Sequence, residues 1–157
     1  MGEPGTKKAL ALAEVRDYMT PDPQTLDVQS TLLDAALLLR RAELRHIPIL
    51  ENDRLVGVLT DRDVGRFAPS MLVPLSPQEY NRVFEETPVG KVMTRNPLSI
   101  SPEAPLAEAV NLLYNQKLGC LPVLEQGRLI GIITVSDMLR VLYDQLGPSP
   151  APIPEQG

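Results

Sequence analysis

Apolar positions recur at helical spacing twice along the chain, at Leu32, Ala35, Ala36 and Leu39 and again at Leu106, Ala109, Val110 and Leu113. Each set predicts an amphipathic helix of about three turns. Ser30 is a suitable N-cap for the first, and Pro105 suits the first turn of the second. Beyond each helix come two short apolar runs, Ile47–Leu50 then Leu55–Leu59, and Leu121–Leu124 then Leu129–Ile133. The second run of each pair lacks alternation, as strands covered on both faces do. Asn52-Asp53 and Gln126-Gly127 mark the turns between them. A further helix is predicted to start near Asp61 and near Val135, and a short strand to precede each first helix, around Gln24–Asp27 and Leu98–Ser101. The order is β-α-β-β-α, twice.

The two units are copies. Aligning Met19-Thr20 with Met93-Thr94 sets an offset of 74, and without a gap the same offset pairs Pro23/Pro97, Leu32/Leu106, Pro48/Pro122, Gly57/Gly131, Thr60/Thr134, Asp63/Asp137 and Arg66/Arg140. About a third of roughly 52 aligned positions are identical, which marks an internal repeat. The organisation read from this is an N-terminal arm over 1–14, a first repeat over 15–66, a linker over 67–88, a second repeat over 89–146 and a Pro-rich tail over 147–157. Ser76-Pro77-Gln78-Glu79 has the form of a capping box and predicts a linker helix from about Pro77 to Glu86. A short helix is expected from about Lys8 to Tyr18. Residues 1–6 are read as loose and the tail as disordered, for want of anything to pack.

Composition narrows the class. At 157 residues and 43% hydrophobic, the chain affords a packed core. A unit of about 50 residues buries little by itself, so the two are expected to share a core. Aromatic residues are 4% with no Trp, which leaves no stacking platform for single-stranded nucleic acid. A net charge of −5 argues against nucleic acid or an anionic membrane as partner. One cysteine, Cys120, excludes an internal disulfide. With no signal peptide and no membrane-length apolar run, the expected location is the cytoplasm.

No P-loop, dinucleotide fingerprint, nucleophile elbow or metalloprotease pair is present, and one His and one Cys do not build an ordinary zinc site. The chain is therefore read as a binding module, with no catalytic residues, no metal site and no required cofactor. His46 has Cys120 as its counterpart, and both are read as packing residues. What recurs is a Gly-x-x-Thr-x-x-Asp pattern, Gly57 to Asp63 and Gly131 to Asp137. Thr-x-x-Asp opening a helix is a capping arrangement. The same residues suit an adenosine ligand, since a carboxylate accepts from both ribose hydroxyls and a helix N-terminus favours phosphate. A Gly inside a buried strand marks close approach by a ligand or another backbone. The chemistry leaves both readings open.

The combination Val15 to Thr20, Arg45 to Ile49 and Leu55 to Asp63, with its counterparts Val89 to Thr94, Gly119 to Val123 and Leu129 to Asp137, resembles the CBS (cystathionine β-synthase) domain, and two in tandem resemble a Bateman module. The resemblance covers the chain apart from linker and tail. It implies an α/β (α+β) fold, with the repeats packed by their sheets about a pseudo-two-fold axis and two clefts between them. In that family such clefts take AMP, ADP, ATP or S-adenosylmethionine and regulate an attached or separate protein. Carried over, Thr60, Arg62 and Asp63 would hold ribose and phosphate in one site, and Thr134, Ser136 and Asp137 in the other. Ile47, Pro48, Leu121, Pro122, Thr20, Thr25, Thr94 and Ser99 would frame the base. Arg62, standing where the second copy has Ser136, is expected to make its site prefer phosphorylated ligands. The surplus of apolar residues on the last helix, Met138, Leu139, Val141, Leu142 and Leu146, predicts a homodimer. The expected function is a stand-alone adenosyl-ligand sensor acting on a separate, unidentified protein. The alternative is a ligand-free oligomerisation scaffold.

Overall fold

The computed structural model describes residues 9–67 and 76–148. The calls on residues 1–6 and on most of the tail fall outside them. In chain order the elements are α1 (Val15–Tyr18), β1 (Thr20–Pro21), β2 (Leu26–Asp27), α2 (Leu32–Arg41), β3 (His46–Glu51), β4 (Arg54–Thr60), α3 (Asp61–Phe67), α4 (Pro77–Glu86), β5 (Thr94–Arg95), α5 (Leu106–Asn115), β6 (Cys120–Glu125), β7 (Arg128–Thr134) and α6 (Val135–Leu146).

Local chemistry accounts for most boundaries. Asn52, Asp53, Gln126 and Gly127 all have positive φ, from 49° to 79°. Two such residues in a row make the hairpin turn whose twist matches the flanking strands. The linker helix α4 starts at Pro77 behind a Ser76/Glu79 capping box, as the sequence predicts. Several expectations shift. The cap of α2 is Thr31, which accepts from the Asp34 amide while Asp34 returns the bond. Ser30 lies one residue too early for that reciprocal pair. Pro105 is the cap of α5 and stands just outside it. The predicted Lys8–Tyr18 helix is broken into a 3₁₀ turn at Leu10–Leu12 and the short α1, because Ala13 and Glu14 are extended. That extension lets the Ala13 carbonyl accept from the Leu106 amide at 2.8 Å, satisfying a free donor at the start of α5. The strand expected at Gln24–Asp27 narrows to β2, and its counterpart in the second copy is a single bridge, Ile100 to Val123.

The sheets are built by exchange. One has the order β2-β3-β4-β5 and the other β1-β7-β6. Thr20 and Pro21, which lead into the first copy, pair with Ile132 and Gly131 of the second. Thr94 and Arg95, which lead into the second, pair with Val58 and Gly57 of the first. Each crossing strand is anchored at an irregularity in the hairpin it joins: the Ile130 carbonyl accepts from the Asp22 amide, and the Val56 carbonyl from the Asn96 amide.

This exchange changes the expected core. There are two apolar clusters instead of one shared core. Ala13 and Val15 pack with Ile100, Leu106, Leu121 and Ile133, while Val89 and Met93 pack with Leu32, Ile47, Ile49 and Leu59. Each copy gains the apolar surface it lacks by receiving the other's leading segment. β4 and β7 meet where the two sheets pack.

Candidate functional site

In each hairpin the start of the first strand lies beside the end of the second, with His46 opposite Thr60 and Cys120 opposite Thr134. The first amide of each following helix is tied to the same corner: Asp61 donates to the Arg45 carbonyl and Val135 to the Gly119 carbonyl, both at 3.1 Å. The two corners meet between the copies and line one open cleft of about 1070 Å³. Its floor includes apolar Leu113, Ile132 and Met138.

Of the residues expected to bind ligand, Thr20, Thr60, Arg62, Thr134 and Ser136 line this cleft. Thr20 arrives there on the exchanged strand. Arg62 and Ser136, assigned from the sequence to separate sites, share it. Ile47, Pro48, Leu121 and Pro122 are fully buried side chains and take no part in its lining. The Pro122 carbonyl accepts from the Ile100 amide, so Pro122 turns its donorless nitrogen away from β7, towards the outer side of β6. Thr25 is half-buried, Thr94 and Ser99 are exposed, and all three lie away from the cleft.

Asp63 and Asp137 stand behind the lining as capping residues. The Thr60 amide donates to Asp63 Oδ2 at 2.9 Å and the Asp63 amide to Thr60 Oγ1 at 3.1 Å. Thr134 and Asp137 repeat the arrangement at the same distances. Asp137 does more. Its Oδ2 also accepts from the Thr134 hydroxyl, while its Oδ1 accepts from the Thr20 hydroxyl and faces Arg140 Nη2 at 3.4 Å. Both oxygens are engaged and the residue is 6% exposed. Asp63 is half-buried, and among the described residues no hydrogen bond joins it to Thr94, the counterpart of Thr20.

The recurrent glycines have a backbone explanation. A Cβ on Gly131 would lie 2.6 Å from Met19 Sδ and 3.0 Å from the Thr20 carbonyl oxygen. One on Gly57 would meet Met93 Sδ and approach the Thr94 carbonyl to 2.8 Å. Of the two alternatives that a strand glycine leaves open, another backbone is the one found.

The cleft also holds charge that the shared motif does not reveal. Arg45, Lys117 and Arg62 line it together with Glu43 and Asp61. Arg45 and Lys117 occupy positions where the copies differ, with Gly119 and Glu43 as counterparts, so an alignment of the copies passes over them. The bare face of Gly119 admits the His46 ring. Burial lowers the His46 pKa from its usual 6.5, with Arg45 acting the same way and Asp61 and Asp63 opposing. Burial pushes the Cys120 thiol up to about 12, which leaves it a poor nucleophile. Among the described residues no group of three or more His, Cys, Asp or Glu is placed to hold a metal ion, and no helix is long and apolar enough to cross a membrane.

A family model for the CBS domain matches residues 15–69 and 89–144. The chain belongs to the CBS-domain family. This CBS pair is similar to a CBS domain-containing protein of Dictyostelium discoideum, 33% identical over 138 residues that span 87% of this chain and 95% of that one. Among solved structures it resembles AcuB of Vibrio cholerae, at 34% identity and a TM-score of 0.71, covering 86% of this chain and 93% of that one. It also resembles CBSX2 of Arabidopsis thaliana, solved in complex with AMP, at 29% identity and a TM-score of 0.70, covering 85% and 97%. The α+β architecture, with two sheets and six α-helices among the described residues, is that of these CBS pairs.

Proposed function

We propose that this CBS pair is a regulatory module, without catalytic activity of its own, that takes an adenosine-type ligand such as AMP in the cleft between its copies and signals to a separate protein. The observation that carries the reading is the lining of that cleft. Hydroxyls of Thr20, Thr60, Thr134 and Ser136 converge there with Arg45, Arg62 and Lys117 over an apolar floor. Hydroxyls suit a ribose, the cations suit a phosphate and the floor suits a base. AMP bound to CBSX2 supports the choice of ligand class. Asp137 acts from behind, by fixing Thr20 and Thr134. Cytoplasmic location and a homodimer belong to the same reading, the dimer because Leu139, Leu142, Tyr143 and Leu146 on α6 are 52 to 75% exposed.

One observation favours a scaffold that needs no ligand: the Asp137 carboxylate is already satisfied within the protein. Thermal melting with AMP, ADP, ATP and S-adenosylmethionine separates the two. A bound ligand at about 100 times its dissociation constant stabilises by about 2.7 kcal/mol, which moves the melting temperature by several degrees. Melting unmoved by all four, with calorimetry flat, favours the scaffold.

A further inference from the structure

The one histidine of the chain lines the cleft. His46 opens β3 opposite Thr60, and its ring crosses from the first copy to the second, where the bare face of Gly119 receives it. A Cβ on Gly119 would meet Nε2 and come within 3.2 Å of Cε1. Among the described residues no hydrogen bond or ion pair engages either ring nitrogen, yet neither nitrogen is sealed from solvent. We infer that His46 recognises phosphate in this cleft, taking up a proton when a phosphorylated ligand enters and none when a neutral nucleoside does. Recognition of a nucleotide rests on the ligand reading above; the response to phosphate itself does not.

The charges around the ring leave its state to the ligand. Arg45 precedes it in the chain, and Asp61, Arg62 and Asp63 open α3, which continues the strand opposite it. Lys117 lines the cleft from the second copy, and Glu43 from the equivalent turn of the first. Cys120, next after Gly119, is an uncharged thiol, its pKa pushed up to about 12 by burial. Burial lowers the His46 pKa from its usual 6.5, while Asp61 and Asp63 pull upward and Arg45 downward. Both carboxylates are turned to backbone. Asp61 Oδ1 accepts from the Arg62 amide and Asp63 Oδ2 from the Thr60 amide, each at 2.9 Å. The ring is therefore neutral near pH 7, in a balance that one added anion reverses.

A phosphate drawn in by Arg45, Arg62 and Lys117 supplies that anion. It accepts a hydrogen bond from a ring N–H, and the bond is stronger from the imidazolium than from the neutral ring. An opposite charge in contact raises such a pKa by about one unit or more. One unit is a tenfold preference of phosphate for the protonated protein and, by reciprocity, of the proton for the liganded protein. Adenosine brings no charge and leaves the ring neutral.

Because the chain has one histidine, its Hε1 resonance titrates alone. NMR pH titration of the full chain, free and with AMP, adenosine or inorganic phosphate, reads the ring directly, with calorimetry beside it. The expected result is a His46 pKa raised by about one unit or more in AMP and unmoved in adenosine. His46→Gln gives the affinity readout. Relative to that variant, wild-type affinity for AMP should gain up to about tenfold between about pH 7.5 and 5.5. The comparison cancels the second ionisation of the phosphate, at about pH 6. AMP that binds by calorimetry without moving the His46 pKa overturns the role of His46 and leaves the ligand reading standing. AMP that does not bind overturns the ligand reading, and inorganic phosphate then decides His46. A pKa raised by phosphate supports its role, and an unmoved one overturns it.

Discussion

The Thr20 hydroxyl donates to Asp137 Oδ1 at 3.2 Å, joining positions 117 residues apart. The leading strand of the first copy is thereby held to the helix cap of the second. Arg140 reinforces the tie by donating to the Tyr18 carbonyl at 3.3 Å while facing the same carboxylate.

The two aspartates are therefore unequal in stability. Asp63→Ala removes a cap and costs about 1 kcal/mol. Asp137→Ala removes a cap and the tie to Thr20, and costs about 2 kcal/mol. Urea unfolding of both variants measures the gap, and a double-mutant cycle with Thr20→Val assigns it. Equal losses at the two positions refute the tie. AMP affinity should weaken in Asp137→Ala through loss of order at Thr20.

Gly131→Ala and Gly57→Ala should destabilise by about 1–3 kcal/mol, because the new methyl meets a backbone carbonyl that has no rotamer to move to. Gly65→Ala supplies the opposite sign. Nothing lies within 4 Å of a Cβ there, and the position is inside α3, so alanine should stabilise by up to about 1 kcal/mol. Thermal melts of the three variants decide it, and a destabilising Gly65→Ala contradicts the account.

His46 makes stability depend on pH. Its pKa is lower folded than unfolded, so the unfolded chain takes up the proton first. The contribution is fully present above the unfolded value of 6.5 and is lost as pH falls through the folded value. Melting temperature should drop between about pH 7.5 and 5.5, and His46→Gln should flatten that slope. Identical slopes for both proteins would assign the effect to other groups.

Arg62→Ser makes the first copy match the second at this position. AMP binding should weaken by roughly tenfold while adenosine binding holds, and the salt dependence of AMP binding should diminish. An unchanged AMP-to-adenosine ratio by calorimetry shows that Arg62 does not meet phosphate.

Much of this CBS pair is written locally. The period of Leu32, Ala35 and Leu39 sets a helix, Asn52-Asp53 and Gln126-Gly127 set the turns, and Thr60 with Asp63 sets a cap, each within a few residues. The exchange of β1 and β5 is not written locally. A two-residue strand carries no periodicity, and Met-Thr leads both copies while the same glycine waits in both hairpins, so either lead fits either sheet by sequence. Only packing between segments far apart in the chain, 112 residues in one case and 36 in the other, assigned Met19 to Gly131 and Met93 to Gly57. The same packing placed Arg62 beside Ser136 on one cleft, added Arg45 and Lys117, and turned Asp137 inward to Thr20. Sequence determined the parts because hydrogen bonds and side-chain period act along a few residues. Tertiary structure decided which parts met, because burial of apolar surface does not depend on distance along the chain.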